Sequence, residues 1–299
     1  MTRHFQILIS ENMPSNLPAN TLIINEFSKI QNLLGQEFET ILFDARKGIH
    51  LEALAIAAGT LKMNGALIVL LSNWEKLHSQ IDEDSLRWSG SLEAITTPRF
   101  IAYFKHCIHK YGFPVLYHQN DLKFDRTFQQ LFVNHNATLD QQKIIEQILK
   151  KESELYFLTA KRGRGKSALA GLLANQLDTK IYLTAPNKSA VKILAEFSQK
   201  EIIFIAPDEL FLALQNDPSF SENAWLLVDE AAMLPIAQLA TFSHHFKHIL
   251  FTTTIHSYEG TGRGFELKFK QKINRTFSDF ELIEPLRWSK DDALEAFID

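Results

Sequence analysis

Short uninterrupted apolar runs at residues 5–10, 39–43 and 65–72, each bounded by polar residues, have the length and composition of strands buried on both faces. Between the last two, residues 50–61 space their apolar side chains as a helix does, and residues 101–112 read as a further helix. This alternation predicts a small parallel sheet covered by helices. After Tyr111-Gly-Phe-Pro114 the periodicity fades through a polar stretch to about Asn136. An N-terminal α/β domain over 1–115, a linker over 116–137 and a second domain over 138–299 are therefore expected.

The second half alternates more clearly. Residues 140–151 have the pattern of an amphipathic helix. Strand patterns at 155–159, 181–184, 202–205, 225–228, 249–253 and 280–283 follow, with helical segments between them. A doubly wound α/β domain is the expected fold, with ligands at the C-terminal ends of its strands. The sequence carries no internal repeat and no low-complexity tract.

Composition changes this picture little. Apolar residues make up 45% and charged residues 22% of 299, so each domain has enough apolar material for its own core. A single cysteine, Cys107, excludes an internal disulfide and a cysteine-based zinc site. No apolar run approaches the roughly 20 residues that span a bilayer, and the first residues are too polar for a signal peptide. A cytoplasmic protein with no membrane partner is expected. The net charge of −4 argues mildly against a nucleic-acid partner. However, Arg263, Lys268, Lys270, Lys272 and Arg275 fall within thirteen residues, and Lys161, Arg162, Arg164 and Lys166 within six. Net charge leaves the partner open.

The chemistry concentrates at Ala160-Lys-Arg-Gly-Arg-Gly-Lys-Ser167, between a strand pattern and a helix pattern. That is the setting of a P-loop. Glycines such as Gly163 and Gly165 let backbone N–H groups point into a concave nest for phosphate oxygens, and the first helical turn adds unsatisfied donors. Lys166 is the residue for the β- and γ-phosphates of ATP, and Ser167 for Mg²⁺. The first glycine of the pattern is Ala160 here, so this position must adopt a backbone that alanine tolerates.

Trp225-Leu-Leu-Val-Asp229-Glu230 is an apolar strand running into two carboxylates, 63 residues after Lys166. The gap leaves room for two β/α units. Asp229 is the candidate Mg²⁺ ligand and Glu230 the residue to orient the attacking water.

The run from Leu250 to Phe265 has the Thr-rich strand end that senses the γ-phosphate in helicase-type ATPases. Gly260, Gly262 and Gly264 around Arg263 form either a loop for close backbone approach or an ordinary surface turn. Arg287 is the late arginine best suited to offset transition-state charge, with a structural ion pair as the alternative. Thr138 is a candidate N-cap. Gln141, rather than Gln142, is the candidate for the adenine edge.

Other features read as structure. His244, His245 and His248 lack the further ligands of a metal site, Asp44-Ala-Arg-Lys-Gly48 reads equally as capping chemistry, and the 23 phenylalanines are scattered as core.

Four runs together resemble one family: Thr159–Gly171, Val228–Pro235, Tyr258–Phe265 with its Tyr-Glu-Gly-Thr-Gly-Arg-Gly-Phe string, and Pro285-Leu-Arg-Trp288. They look like the bacterial tRNA(Met) cytidine acetyltransferases. Phe43-Asp-Ala-Arg-Lys-Gly48 and Ala58-Gly-Thr-Leu-Lys62 are similar to the N-terminal domain of that family. The resemblance implies a RecD-like RNA-helicase ATPase domain coupled to an acetyl-CoA-dependent domain that acetylates N4 of the wobble cytidine of elongator methionine tRNA. It also implies ATP contacts from Gln141, from Gly163, Arg164, Gly165, Lys166, Ser167 and Ala168, and from Arg287.

Family members continue well past the Arg-Trp motif, and no acetyl-CoA pyrophosphate loop occurs in these 299 residues. The expectation is a truncated product, a fragment, or a split protein with a separate acetyltransferase polypeptide. Acetyl-CoA is expected only with a C-terminal domain elsewhere.

Overall fold

The computed structural model describes residues 3–33, 36–124, 136–186, 188–255 and 268–299. They form two compact units: Met1–Leu131 with Arg287–Asp299, and Phe132–Leu286.

In the first unit, β1 (His4–Ile9), β2 (Leu22–Ile24) and β3 (Phe38–Asp44) precede α1 (Leu51–Thr60), which leads directly into β4 (Leu61–Leu71). A short antiparallel pair follows, β5 (Ile81–Asp82) and β6 (Ile95–Thr96), with α2 (Ser85–Trp88) between them. Then come α3 (Pro98–Lys110) and β7 (Val115–Leu116). The main sheet runs β2-β3-β4-β1-β7, every pairing parallel. Period-two alternation gives each face its own core. Ile7, Ile41, Phe43, Leu67 and Val69 face one way, and Leu8, Leu42, Ile68 and Leu70 face the other. Proline opens α3, where its missing N–H costs nothing, and Ile101, Phe104 and Ile108 line the buried side of that helix at helical spacing.

The second unit starts at α4 (Leu139–Leu149) and β8 (Leu155–Ala160), followed by α5 (Lys166–Ala174), β9 (Lys180–Thr184) and α6 (Ser189–Phe197). β10 (Ile203–Phe204), α7 (Pro207–Asn216), β11 (Ala224–Val228), α8 (Ile236–His245), β12 (His248–Thr254) and β13 (Phe277–Leu282) complete it. The six strands run β10-β9-β11-β12-β8-β13, all parallel. β8 buries Tyr156 and Leu158 on one face and Leu155 and Phe157 on the other, as expected of a strand covered by helices on both sides. This is the expected doubly wound α/β fold. Its order puts the C-terminal ends of β11, β12 and β8 side by side.

Residues 287–299 cluster by contact with the first unit, and buried contacts hold them there. The guanidinium of Arg3 grips the Asp292 carboxylate, Nε to Oδ2 at 3.1 Å and Nη2 to Oδ1 at 2.7 Å, and lies 3.9 Å from the ring centroid of Trp288. Asp292 also caps α9 (Ala293–Ile298) by accepting from Glu295 N at 2.8 Å. Phe297 on α9 packs against Phe5 and Phe113 at centroid distances of 5.2 and 5.4 Å. Among the described residues no helix is long and apolar enough to cross a membrane.

Candidate functional site

The phosphate turn is bent by two glycines. Gly163 and Gly165 have φ of 76° and 81°, a region in which a Cβ is strained. Ala160 is still the last, fully buried residue of β8. No left-handed backbone is needed there, which is why alanine replaces the first glycine of the pattern. The turn is held from outside by three hydrogen bonds. Leu286 N donates to Gly163 O at 2.9 Å, Arg164 Nε donates to Ile283 O at 2.9 Å, and Gln141 Nε2 donates to Gly165 O at 3.0 Å.

Gln141 also closes a capping box. Its Oε1 accepts from Thr138 N at 2.9 Å, and Thr138 Oγ1 accepts from Gln141 N at 3.2 Å. Both ends of this buried amide thus serve the chain itself, joining the start of α4 to the turn. Gln142 is exposed.

Lys166 and Ser167 open α5, with Ala168 buried behind them. Lys166 is 8% exposed, and its Nζ donates to Thr254 Oγ1 at 2.7 Å and stands 3.8 Å from Glu230 Oε1. Ser167 Oγ donates to Asp229 Oδ2 at 3.3 Å. Asp229 lies just past β11 and is 6% exposed; the Thr252 hydroxyl donates to its Oδ1. Glu230 adopts a left-handed backbone, φ 49°. Its carboxylate turns toward β12 and accepts from Thr254 N at 3.0 Å and from the Thr254 hydroxyl.

The two acids are driven apart electrostatically. Burial and the neighbouring Glu230 charge push the Asp229 carboxyl above the usual aspartate range. Burial also opposes ionisation of Glu230, but the Lys166 ammonium and the two Thr254 donors outweigh it and hold its carboxyl below the usual range. Glu230 is therefore ionised at neutral pH.

A hydroxyl and a carboxylate oxygen 3.3 Å apart suit Mg²⁺. Its oxygen ligands at about 2.0–2.1 Å in octahedral geometry put neighbouring donors roughly 3 Å apart. Ser167 and Asp229 are therefore the residues that would hold it.

The structure thus gathers Gln141, Gly163, Gly165, Lys166, Ser167, Asp229 and Glu230 at the C-terminal ends of β8, β11 and β12. It uses the Arg164 side chain as a brace rather than in the nest. For Arg287 the structure records an ion pair, its Nε standing 3.0 Å from Glu37 Oε1. Of the two roles open to it, this structure contains the ion pair. The glycines around Arg263 lie outside the described residues. Thr252 and Thr254 were legible only as part of a Thr-rich strand end. Their period-two spacing was the usable signal, because it sends both hydroxyls to the face that carries the acids.

A family model described as the tRNA(Met) cytidine acetyltransferase TmcA N-terminal domain matches residues 5–119, and one described as the RNA cytidine acetyltransferase NAT10/TcmA helicase domain matches residues 157–299. The chain is similar to the tRNA(Met) cytidine acetyltransferase TmcA of Haemophilus influenzae, at 61% identity over 302 residues covering 100% of this chain and 46% of that protein. The namesake protein of Actinobacillus pleuropneumoniae is 38% identical over 91% of this chain and 46% of its own length. That of Haemophilus ducreyi is 38% identical over 98% and 50%. The chain spans about half the length of the curated relatives it matches.

Proposed function

The chain belongs to the tRNA(Met) cytidine acetyltransferase family through its N-terminal and helicase domains, and from that premise we propose that it is the family's ATP-binding and hydrolysing, RNA-helicase-like module, acting with elongator methionine tRNA. The observation that carries this reading is the meeting of Lys166, Ser167, Asp229 and Glu230 at the C-terminal ends of neighbouring strands, behind a glycine-bent turn.

In this reading, the backbone N–H groups of the turn and of the first turn of α5 hold the phosphates of ATP. Lys166 supplies a positive charge whose pull strengthens as charge develops on the transferred group. Ser167 and Asp229 would hold Mg²⁺, which would neutralise phosphate charge. Glu230, ionised at neutral pH, accepts the proton of an attacking water. Thr254 links the two halves of the site by accepting from Lys166 while donating to Glu230. A change at the phosphates is thereby felt at the end of β12. Gln141 and Ala168 border the nucleotide, and Arg287 is the arginine proposed to offset transition-state charge. Acetyl-CoA, and acetyl transfer to the wobble cytidine, fall to the acetyltransferase part of the family, in the same or a separate polypeptide.

The test is ATP hydrolysis by the purified chain with and without a methionine tRNA transcript. Stimulation by the transcript, abolished by Lys166→Ala, is expected. A chain that does not hydrolyse ATP even with saturating transcript overturns the reading.

A further inference from the structure

Three neighbouring strands of the second unit begin where cations gather. Lys150 and Lys151 precede β8, Lys247 precedes β12, and Lys272 and Arg275 precede β13. These strands lie side by side in the order β12-β8-β13 and run parallel, so the five cations stand along one end of the sheet. The phosphate turn leaves β8 at the other end. Six residues at about 3.3 Å each put roughly 20 Å between the two.

Arg275 acts as a pin. Its Nε meets Glu154 Oε2 at 2.9 Å, and its guanidinium donates to the carbonyls of Ser243, Phe246 and Lys247. This neutralises Glu154 and draws together the segments that precede the three strands. Lys150, Lys151, Lys247 and Lys272 are exposed, and none of them forms an ion pair among the described residues.

Their crowding is felt at His248, the first residue of β12. Its Nδ1 is buried with no hydrogen-bond partner among the described residues. Burial, then the charges of Lys151 and Lys247, push its imidazole below the usual histidine range. Lys151 carries an independent sign. It sits just past α4 at φ 56°, a left-handed position that glycine would occupy without strain. The chain accepts backbone strain there and keeps a positive charge on an otherwise acidic molecule of net charge −4.

We propose that this end of the sheet, remote from the nucleotide turn, binds the phosphate backbone of an RNA strand. The unpaired lysines spread over two strand spacings, about 10 Å, so they meet more than one phosphate. Lysine ammonium groups recognise charge rather than base identity. The choice of RNA as the polyanion rests on the function proposed above; the surface itself does not.

The experiment measures binding of a methionine tRNA transcript to the full chain as a function of salt, alongside MgATP binding. The triple variant Lys150→Gln/Lys151→Gln/Lys247→Gln is expected to reduce the slope of log affinity against log salt by about 2–3, at roughly 0.7–0.9 for each phosphate no longer neutralised. RNA binding at low salt should weaken about tenfold or more, with MgATP affinity unchanged. Arginine at the same three positions should restore both slope and affinity. Lys151→Gly relieves the backbone and so keeps the fold; it should lower the slope by roughly 1.

Variants that bind the transcript with the parent's slope and affinity overturn the inference, as does a parent chain that does not bind the transcript. A chain that binds RNA through these lysines but not MgATP overturns the proposed function and leaves this surface standing.

Discussion

Gly165→Ala tests how the phosphate turn is held. A Cβ built on Gly165 falls 2.5 Å from Leu286 Cδ1 and 2.8 Å from Gln141 Nε2, at φ 81°. Leu286 is 42% exposed and its side chain has solvent to swing into, whereas Gln141 is 2% exposed. Gln141 therefore moves only by giving up its bond to Gly165 O and its share of the capping box. The left-handed backbone costs alanine about 1 kcal/mol, the broken bond to Gly165 O about 1 kcal/mol, and the weakened cap about 1 kcal/mol. The sum is roughly 3 kcal/mol.

Gly112→Ala calibrates the backbone part. It has φ 68° and nothing within 4 Å of its Cβ, so only the cost of about 1 kcal/mol applies. Urea denaturation of both variants, with a fluorescence probe in each unit, gives the two values. If Gly165→Ala costs no more than Gly112→Ala, then Gln141 does not brace the turn and the arrangement described above is wrong.

Three further outcomes follow from the same geometry. The Asp229 carboxyl is raised, so the folded chain binds its proton more tightly than the unfolded chain does. That stability is whole below the ordinary aspartate range and is lost as pH rises through the raised value. Asp229→Asn should therefore be more stable than the parent at neutral pH but not in acid; urea midpoints that run parallel across the pH series contradict the burial argument. Thr254→Val removes the acceptor of Lys166 and one donor to Glu230, and should lower kcat of ATP hydrolysis by roughly 10- to 100-fold with a smaller change in KM; an unchanged kcat removes Thr254 from the coupling. Arg3→Ala leaves Asp292 buried without its partner and should destabilise the first unit by about 3–5 kcal/mol, read by denaturation of that unit; a loss under about 1 kcal/mol would show that the pair does not fasten the C-terminal segment.

Much of this was legible along the chain because it is local. The strand runs of both units are long and apolar, and the strand–turn–helix around Lys166 and the strand ending at Asp229 carry their chemistry within a few residues. Strands β2, β5, β6 and β7, two or three residues long, are too short to show a period; β10 is as short, but lies in the apolar run 202–205. The placement of 287–299 was hidden for another reason. It depends on Arg3 meeting Asp292 across 289 positions of sequence, and neither residue advertises a buried partner. For Arg287 both roles stood open, since a late arginine looks the same in sequence whether it meets phosphate or a carboxylate such as that of Glu37. Gln141 was identified, but its partner was not. A capping-box glutamine that also donates to a glycine carbonyl is visible only once α4 and the turn are side by side.

The most direct test of the central claim is calorimetric titration of the full chain with a non-hydrolysable ATP analogue, in Mg²⁺ and then in EDTA. One site per chain is expected, weakened by removal of Mg²⁺, by Ser167→Ala and most of all by Lys166→Ala. Heat no greater than dilution, or binding that Lys166→Ala and EDTA leave untouched, would contradict the assignment of the glycine-bent turn as the nucleotide site.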